Sequence, residues 1–285
     1  MTTTQNIFTF RGRSIIALIL ATSISAYGFL WPFFLDAHSP IHHLNNQIFS
    51  LAAVPIALIV LIAEISNQRL DAKSVALLGV LAAFTAALRP MGAGAVGIEP
   101  MWFILIISAR VFGPAFGFVL GILAMFVSAF ITGGFGPWLA YQMFAAGWVG
   151  LGAGMLPQRV GKLAIRGKTE IAVLALYGIF ASLLFGILMD LQFWPWALGS
   201  HTQLSYVAGA SIATNAHRFI IYHFASSMAW DVPRAFLTSM LTVITAPAVL
   251  FAMRRTKRRA SFLTPIEFRA SRSALIERAK EQTEV

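Results

Sequence analysis

Arg89 and Glu99 stand ten residues apart in a glycine-rich connection, ALRPMGAGAVGIEPMWF (87–103), and they are the first groups along the chain with chemistry to offer. Each has the charge to bind a polar solute, or the two pair with one another across the loop. Trp102 follows with a flat apolar face and one N–H donor. Three further stretches bring the same kinds of group. GGFGPWLAYQ (133–142) supplies Trp138, Tyr141 and Gln142. Asp190 with LQFWPW (191–196) supplies a carboxylate, Trp194 and Trp196, and the segment beyond supplies Asn215, His217, Arg218 and Tyr222. Aromatic faces with a few donors and acceptors suit a planar solute with a polar edge.

These groups read as a binding site, and no catalytic residue is assigned. Glu64 and Asp71 lie at the end of a span with no nucleophile opposite, so an intramembrane enzyme lacks a paired acid and base. GKLAIRGKT (161–169) resembles a phosphate loop, but five residues separate its glycines where four are needed, and a transmembrane helix precedes it. A role in active import would therefore require ATPase activity from elsewhere. His42 with His43, and His217 with His223, lack the i, i+4 spacing and nearby carboxylate of a metal site and read as surface histidines. Cysteine is absent, which excludes disulfides, thiolate metal sites and iron–sulfur clusters. No metal and no cofactor is expected.

The elements that position these groups must cross a bilayer. Apolar residues make up 58% of the chain and charged ones 11%, a balance no water-exposed surface tolerates. With roughly 20 apolar residues per crossing, the expected spans are 14–35, 47–65, 73–88, 100–111, 113–132, 137–156, 170–190 and 232–253. The first follows Arg11 and Arg13 but lacks a good cleavage site, so it reads as a retained span. The fourth is short, and a single helix over 100–132 would turn RVGKLAIRGK (159–168) outward. A hairpin through Arg110, Gly113 and Pro114 instead puts nearly every Lys and Arg on one side, leaving only Arg89, Arg218 and Arg234 on the other. Both termini are then cytoplasmic. The basic excess reports orientation in the membrane, and no nucleic-acid partner is expected.

All six histidines and most tryptophans fall on the outer side, where an aromatic belt would place tryptophan at both rims. A polar connection over 191–231 lies there too, with helical spacing of Phe219, Tyr222 and His223 in IATNAHRFIIYHFASSMAW (212–230). Small residues recur every four positions at Gly113, Gly117 and Gly121, and at Ala146, Gly150 and Gly154, which suits close packing inside the bundle. The third span has Gly79, Ala82, Ala83, Ala86 and Ala87, a face fit either for internal packing or for a separate partner helix.

Taken together, the alanine-striped span, ALRPMGAGAVGIEPMWF, ARVFGPAFGFVLG, TGGFGPWLAYQMFAAGWVGLGAGMLP, the Asp190 region and WDVPRAFLTSML resemble the substrate-binding S component of energy-coupling factor vitamin importers, in particular an actinobacterial branch. The resemblance implies an all-α polytopic membrane protein: a six-helix S-component-like core over 66–253, with its outer loop at 191–231. Before the core come a cytoplasmic N-terminus (1–13) and two additional N-terminal transmembrane helices (14–65). A basic cytoplasmic tail (254–285) follows, expected to meet anionic membrane lipid.

It also implies a substrate-capture subunit in the bacterial plasma membrane that works with a transmembrane coupling subunit and two cytosolic ATPases. The vitamin would bind at Arg89, Glu99, Trp102, Trp138, Tyr141, Gln142, Asp190, Trp194, Asn215, His217, Arg218 and Tyr222. The coupling subunit would pack on Gly79, Ala82, Ala83, Ala86 and Ala87. Similarity to members associated with cobalamin-type corrinoids puts such a ligand first, ahead of riboflavin, biotin, thiamine or a queuosine-like base. The alternative is a membrane assembly or interaction protein without a small ligand.

Overall fold

The computed structural model describes residues 12–34, 72–92, 97–161, 163–199 and 202–261, and these are almost wholly helical. The expected span 47–65, His38, His42, His43, His201 and the tail beyond 261 lie outside the described residues. Helix α1 (Gly12–Leu30) runs into a 3-10 turn at Trp31–Phe33. Helix α2 (Ala72–Leu88) ends in another at Arg89–Gly92. Then come α3 (Met101–Phe112), α4 (Pro114–Thr132) and α5 (Leu139–Met155). A two-residue antiparallel hairpin, β1 (Arg159–Val160) with β2 (Leu163–Ala164), leads to α6 (Lys168–Ala197), α7 (Ile212–Ser226) and α8 (Met228–Ser261). Lys73–Gly92, Pro114–Thr132, Lys168–Ala197 and Met228–Arg258 are long and apolar enough to cross a membrane. The protein is an all-α membrane protein.

Helix α3 is the centre of the bundle. Only Phe103 among its residues escapes full burial, the pattern of a helix apolar on every side. Gly113, at φ 108°, takes a conformation that side chains resist, and Pro114 starts α4 where its missing N–H costs nothing. The chain therefore doubles back, and Ala109 meets Gly117 across the turn. The expected hairpin is present where a single helix over 100–132 was the alternative.

Helices α4 and α5 cross through backbone contact. A side chain added at Gly117 would strike the Gly150 carbonyl, one at Gly121 the Ala146 carbonyl, and one at Gly154 would collide with Pro114. Lipid gives no hydrophobic drive to such a crossing, so van der Waals contact between bared backbones supplies it. The glycine stripes thus pack the bundle internally. Small residues on α6 act likewise: Gly178 lies against Thr238, and Gly186 against the Asp231 carboxylate of α8.

The connection over 191–231 is less of a loop than its polarity implies. Helix α6 continues through Pro195 to Ala197, and α8 begins at Met228, so the described irregular backbone is confined to 198–199 and 202–211. Ser211 caps α7 by accepting the Thr214 N–H at 3.2 Å. One face of α7 buries Asn215, Phe219, Tyr222 and His223, while Ile220, Ile221 and Phe224 stay exposed on the other.

The packing makes a contrast measurable. Gly150→Leu should lower stability by at least about 1–3 kcal/mol, the usual cost of overpacking, seen as a drop in Tm of purified protein in detergent. Gly79 has no described neighbour within 4 Å of an added side chain, and Gly79→Leu should leave Tm unchanged.

Candidate functional site

The helices alternate in direction, so the start of α3, the later part of α6 and the start of α8 share one end of the bundle with the tryptophans. At this end the Glu99 Oε2 accepts hydrogen bonds from Trp102 Nε1 at 2.8 Å and from Arg234 Nε at 2.9 Å. Arg234 also donates through Nη1 to Asp231 Oδ1 at 2.7 Å, one helical turn away, and Ser227 Oγ donates to Asp231 Oδ2 at 2.7 Å. The Arg234 guanidinium lies 5.2 Å over the Phe185 ring, which packs 4.5 Å from Trp102. Arg234 and Asp231 are 8% and 1% exposed and Glu99 28%, so water screens the inner pair little and reaches only the glutamate. Both bonds to Glu99 fall on one oxygen, and among the described residues none donates to the other.

Arg89 and Glu99 do not hydrogen-bond to each other. Arg89 instead donates to Ser128 Oγ at 2.8 Å and to Gln142 Oε1 at 2.9 Å, tying the end of α2 to α4 and α5. No hydrogen bond joins the pair across the glycine-rich loop, although the Glu99 charge still acts on Arg89. Gly97, at φ 69°, brings the loop against the backbone of Trp230 and Arg234, and no side chain would fit there.

A third group lies under α7. Asp190 Oδ2 is 2.8 Å from His223 Nδ1, and Ser226 Oγ donates to the same oxygen at 3.4 Å. His223 is buried, which corrects its reading as a surface histidine: the face of α7 that carries Phe219 and Tyr222 carries it as well. Trp194 is fully buried and donates to the Leu204 carbonyl at 2.7 Å, with Phe219 and Tyr206 packed on its ring at 5.4 and 5.7 Å. The Asn215 amide brackets Val207, accepting its N–H and donating to its carbonyl. Arg218 donates to the carbonyls of Thr202 and Ser205. Burial pushes the Tyr206 phenol up to about 12, so it stays protonated at physiological pH. Burial, then the nearby Asp190 charge, raises Tyr222 likewise.

Tyr141 is buried against Phe29. Trp138 is half exposed, with its N–H on the Gly134 carbonyl, and His217 is exposed, so these two stand at the rim. The small residues of α2 divide by helical phase. Ala82 and Ala86 are buried against the bundle, whereas Gly79, Ala83 and Ala87 face outward beside Val80 and Phe84.

Arg234, Asp231, Phe185, Ser128 and His223 are the site residues that sequence reasoning missed. The acid and base at i, i+3 in WDVPRAF were a usable signal, since an exposed span end has no need of both. An apolar cleft of about 320 Å³ between α6 and α8, lined by Ile179, Leu183, Val232, Ala235, Phe236 and Ser239, offers almost no polar surface. It suits a lipid chain better than a polar-edged solute. Among the described residues no cluster of three His, Asp or Glu could hold a metal ion.

Arg234→Ala should cost about 3–5 kcal/mol by stranding Asp231 without its partner, measured by denaturant or thermal unfolding in detergent. Arg234→Lys should lose less, because it keeps the charge but not the fork that reaches both carboxylates.

Residues 69–224, more than half of the chain, match the family model described as ECF-type riboflavin transporter, S component. No curated protein and no solved structure matches the chain.

Proposed function

The chain belongs to the family of ECF-type riboflavin transporter S components, and from that premise we propose that it captures a vitamin at the tryptophan-rich end of its bundle and delivers it inward. The family is the substrate-binding part of a transporter and not an enzyme, and its members work with a membrane coupling component and ATPases. The observation that carries the reading is the Glu99–Trp102–Arg234 cluster: a half-shielded carboxylate with one oxygen uncommitted among the described residues, fixed beside aromatic faces.

Such a cluster suits a flat heteroaromatic ring whose edge carries an N–H. The imide edge of a flavin offers that donor between two carbonyls, and the family's description names riboflavin. A flavin therefore moves ahead of the corrinoid that the sequence reading put first. Arg89 and Gln142 hold α2 at the mouth, and Asp190, Asn215, Arg218, Tyr222 and Trp194 hold α7 over it, so most of the expected site residues would position the site and few would touch the ligand.

In this reading the tryptophan-rich end faces outward from the bacterial plasma membrane, and the basic end, with both termini, faces the cytoplasm. Gly79, Ala83 and Ala87 form the half of the small-residue stripe that a coupling helix could reach, while Ala82 and Ala86 seat α2 on the bundle. The two cytosolic ATPases would then act through that helix.

Riboflavin held at about 100 times its Kd should add about 2.7 kcal/mol of stability to the purified protein, visible as a thermal shift. A panel of riboflavin, cobalamin, biotin and thiamine with no shift, and no ligand carried through purification, would leave the interaction-protein reading in its place. Ala83→Trp should abolish uptake in cells yet leave vitamin binding intact, because the bulk blocks helix approach on an exposed face. Equal loss of both would contradict the coupling role.

A further inference from the structure

Helix α1 lies outside the residues that match the family, which begin at 69, yet its end is built into the aromatic cluster. Trp31 is 2% exposed and packs 5.5 Å from Tyr206 and 5.9 Å from Trp196. Phe33 stacks 6.3 Å from Trp194 and meets Phe219 of α7 edge-on at 6.3 Å. The Pro32 carbonyl accepts from Asn215 Nδ2 at 3.5 Å. Pro32 sits where a 3-10 turn accepts proline, so the turn holds its shape without help from α7.

Helix α1 is fixed independently of α7. Phe29 is fully buried, edge-on to Tyr141 at 4.9 Å and 5.5 Å from Trp148 of α5, and Trp148 donates to Thr22 Oγ1 at 3.4 Å. Helix α7, by contrast, follows the irregular 202–211 and is joined to α8 through Ser227 alone. Besides the 202–207 segment held by Asn215 and Arg218, its buried face rests on two aromatic supports. One is α6, through Trp194 and the Asp190–His223 contact, and the other is the Trp31-Pro32-Phe33 turn.

We propose that this turn is the seat on which α7 closes over the captured vitamin, so that Phe33 and Trp31 are positioning residues that set how long the ligand stays. The inference rests on the capture reading above. A closure element governs escape more than entry, because the ligand leaves only when α7 lifts and α7 lifts more often when one support is missing. Loss of one or two aromatic contacts corresponds to a rise in dissociation rate of between about two- and tenfold.

The test uses the full chain in detergent with riboflavin as probe, followed by quenching of flavin fluorescence, together with amide hydrogen exchange. Phe33→Ala should speed dissociation within that range and leave the association rate unchanged. It should raise exchange in 212–226 but not in 114–155, and Phe33→Tyr should restore both. An unchanged dissociation rate overturns the proposal, and so does exchange that rises equally through α4 and α5, the mark of general loosening. If the wild-type protein binds neither riboflavin nor another vitamin, the capture reading fails. The seat is then judged by exchange alone, and no rise in 212–226 overturns it. Should Phe33→Ala fail to fold, Phe33→Leu gives the same readouts with less volume lost.

Discussion

A charge inside a bilayer must find a partner there, and the bundle is arranged around that requirement. Helix α3 has 12 residues, a length of about 18 Å at 1.5 Å per residue, against a hydrocarbon core of about 30 Å. Of the charges at its two ends, Arg110 is therefore sealed from water and Glu99 is only partly reached by it. At one end Glu99 is met by Arg234, which also holds Asp231. At the other, Arg110 binds Glu170 at 2.7 Å and the carbonyls of Leu156 and Pro157. Arg254 closes on the same glutamate, and Lys257 donates to the Val111 carbonyl at 2.6 Å. Helix α8 reaches α3 at both ends, and α6 lends Glu170 at one end and Phe185 at the other. The candidate site is one end of this clamp, which explains why so few of its polar groups are left over for a solute.

Much of this was legible in the sequence and some was not, for reasons that differ by residue. Gly117, Gly121, Gly150 and Gly154 announced close packing because a fourfold spacing on a helix needs no knowledge of the partner. The sign pattern of the charges fixed the hairpin at Gly113, since one wrong crossing would have inverted everything after it. The pairing of Glu99 with Arg234 spans 135 residues, and no local pattern specifies a contact that long. Gly79, Ala82, Ala83, Ala86 and Ala87 look like one stripe along the sequence, but 3.6 residues per turn spreads them over two faces, and only the neighbours decide which is covered. The connection after Asp190 read as a loop because Pro195 and Pro233 break the apolar run. One falls in the last turn of α6 and the other near the start of α8, and membrane helices bear both.

In the proposed function, binding and coupling fall on surfaces that share an element. Helix α2 presents Gly79, Ala83 and Ala87 outward, seats itself through Ala82 and Ala86, and ends in Arg89 at the mouth of the site. Helix α7 packs at the same end of the bundle, and the turn after α1 meets it although α1 stands outside the family match. The added helix is thus integrated with the core by ring contacts at Phe29, Trp31 and Phe33.

The separation in the chain between α3 and its partners bears on how the protein is made. Ribosomes release α3 well before α6 and α8 exist, so Glu99 and Arg110 enter the insertion machinery as unaccompanied ions on a segment too short to lodge by greasiness alone. Glu170 arrives 60 residues after Arg110, and Arg234 a further 64 after that. Until then these charges lack the partners that the folded bundle gives them, and a chain that stops before Arg234 would leave Glu99 without its cation. The clamp on α3 is therefore completed from its C-terminal side, by the arrival of α8.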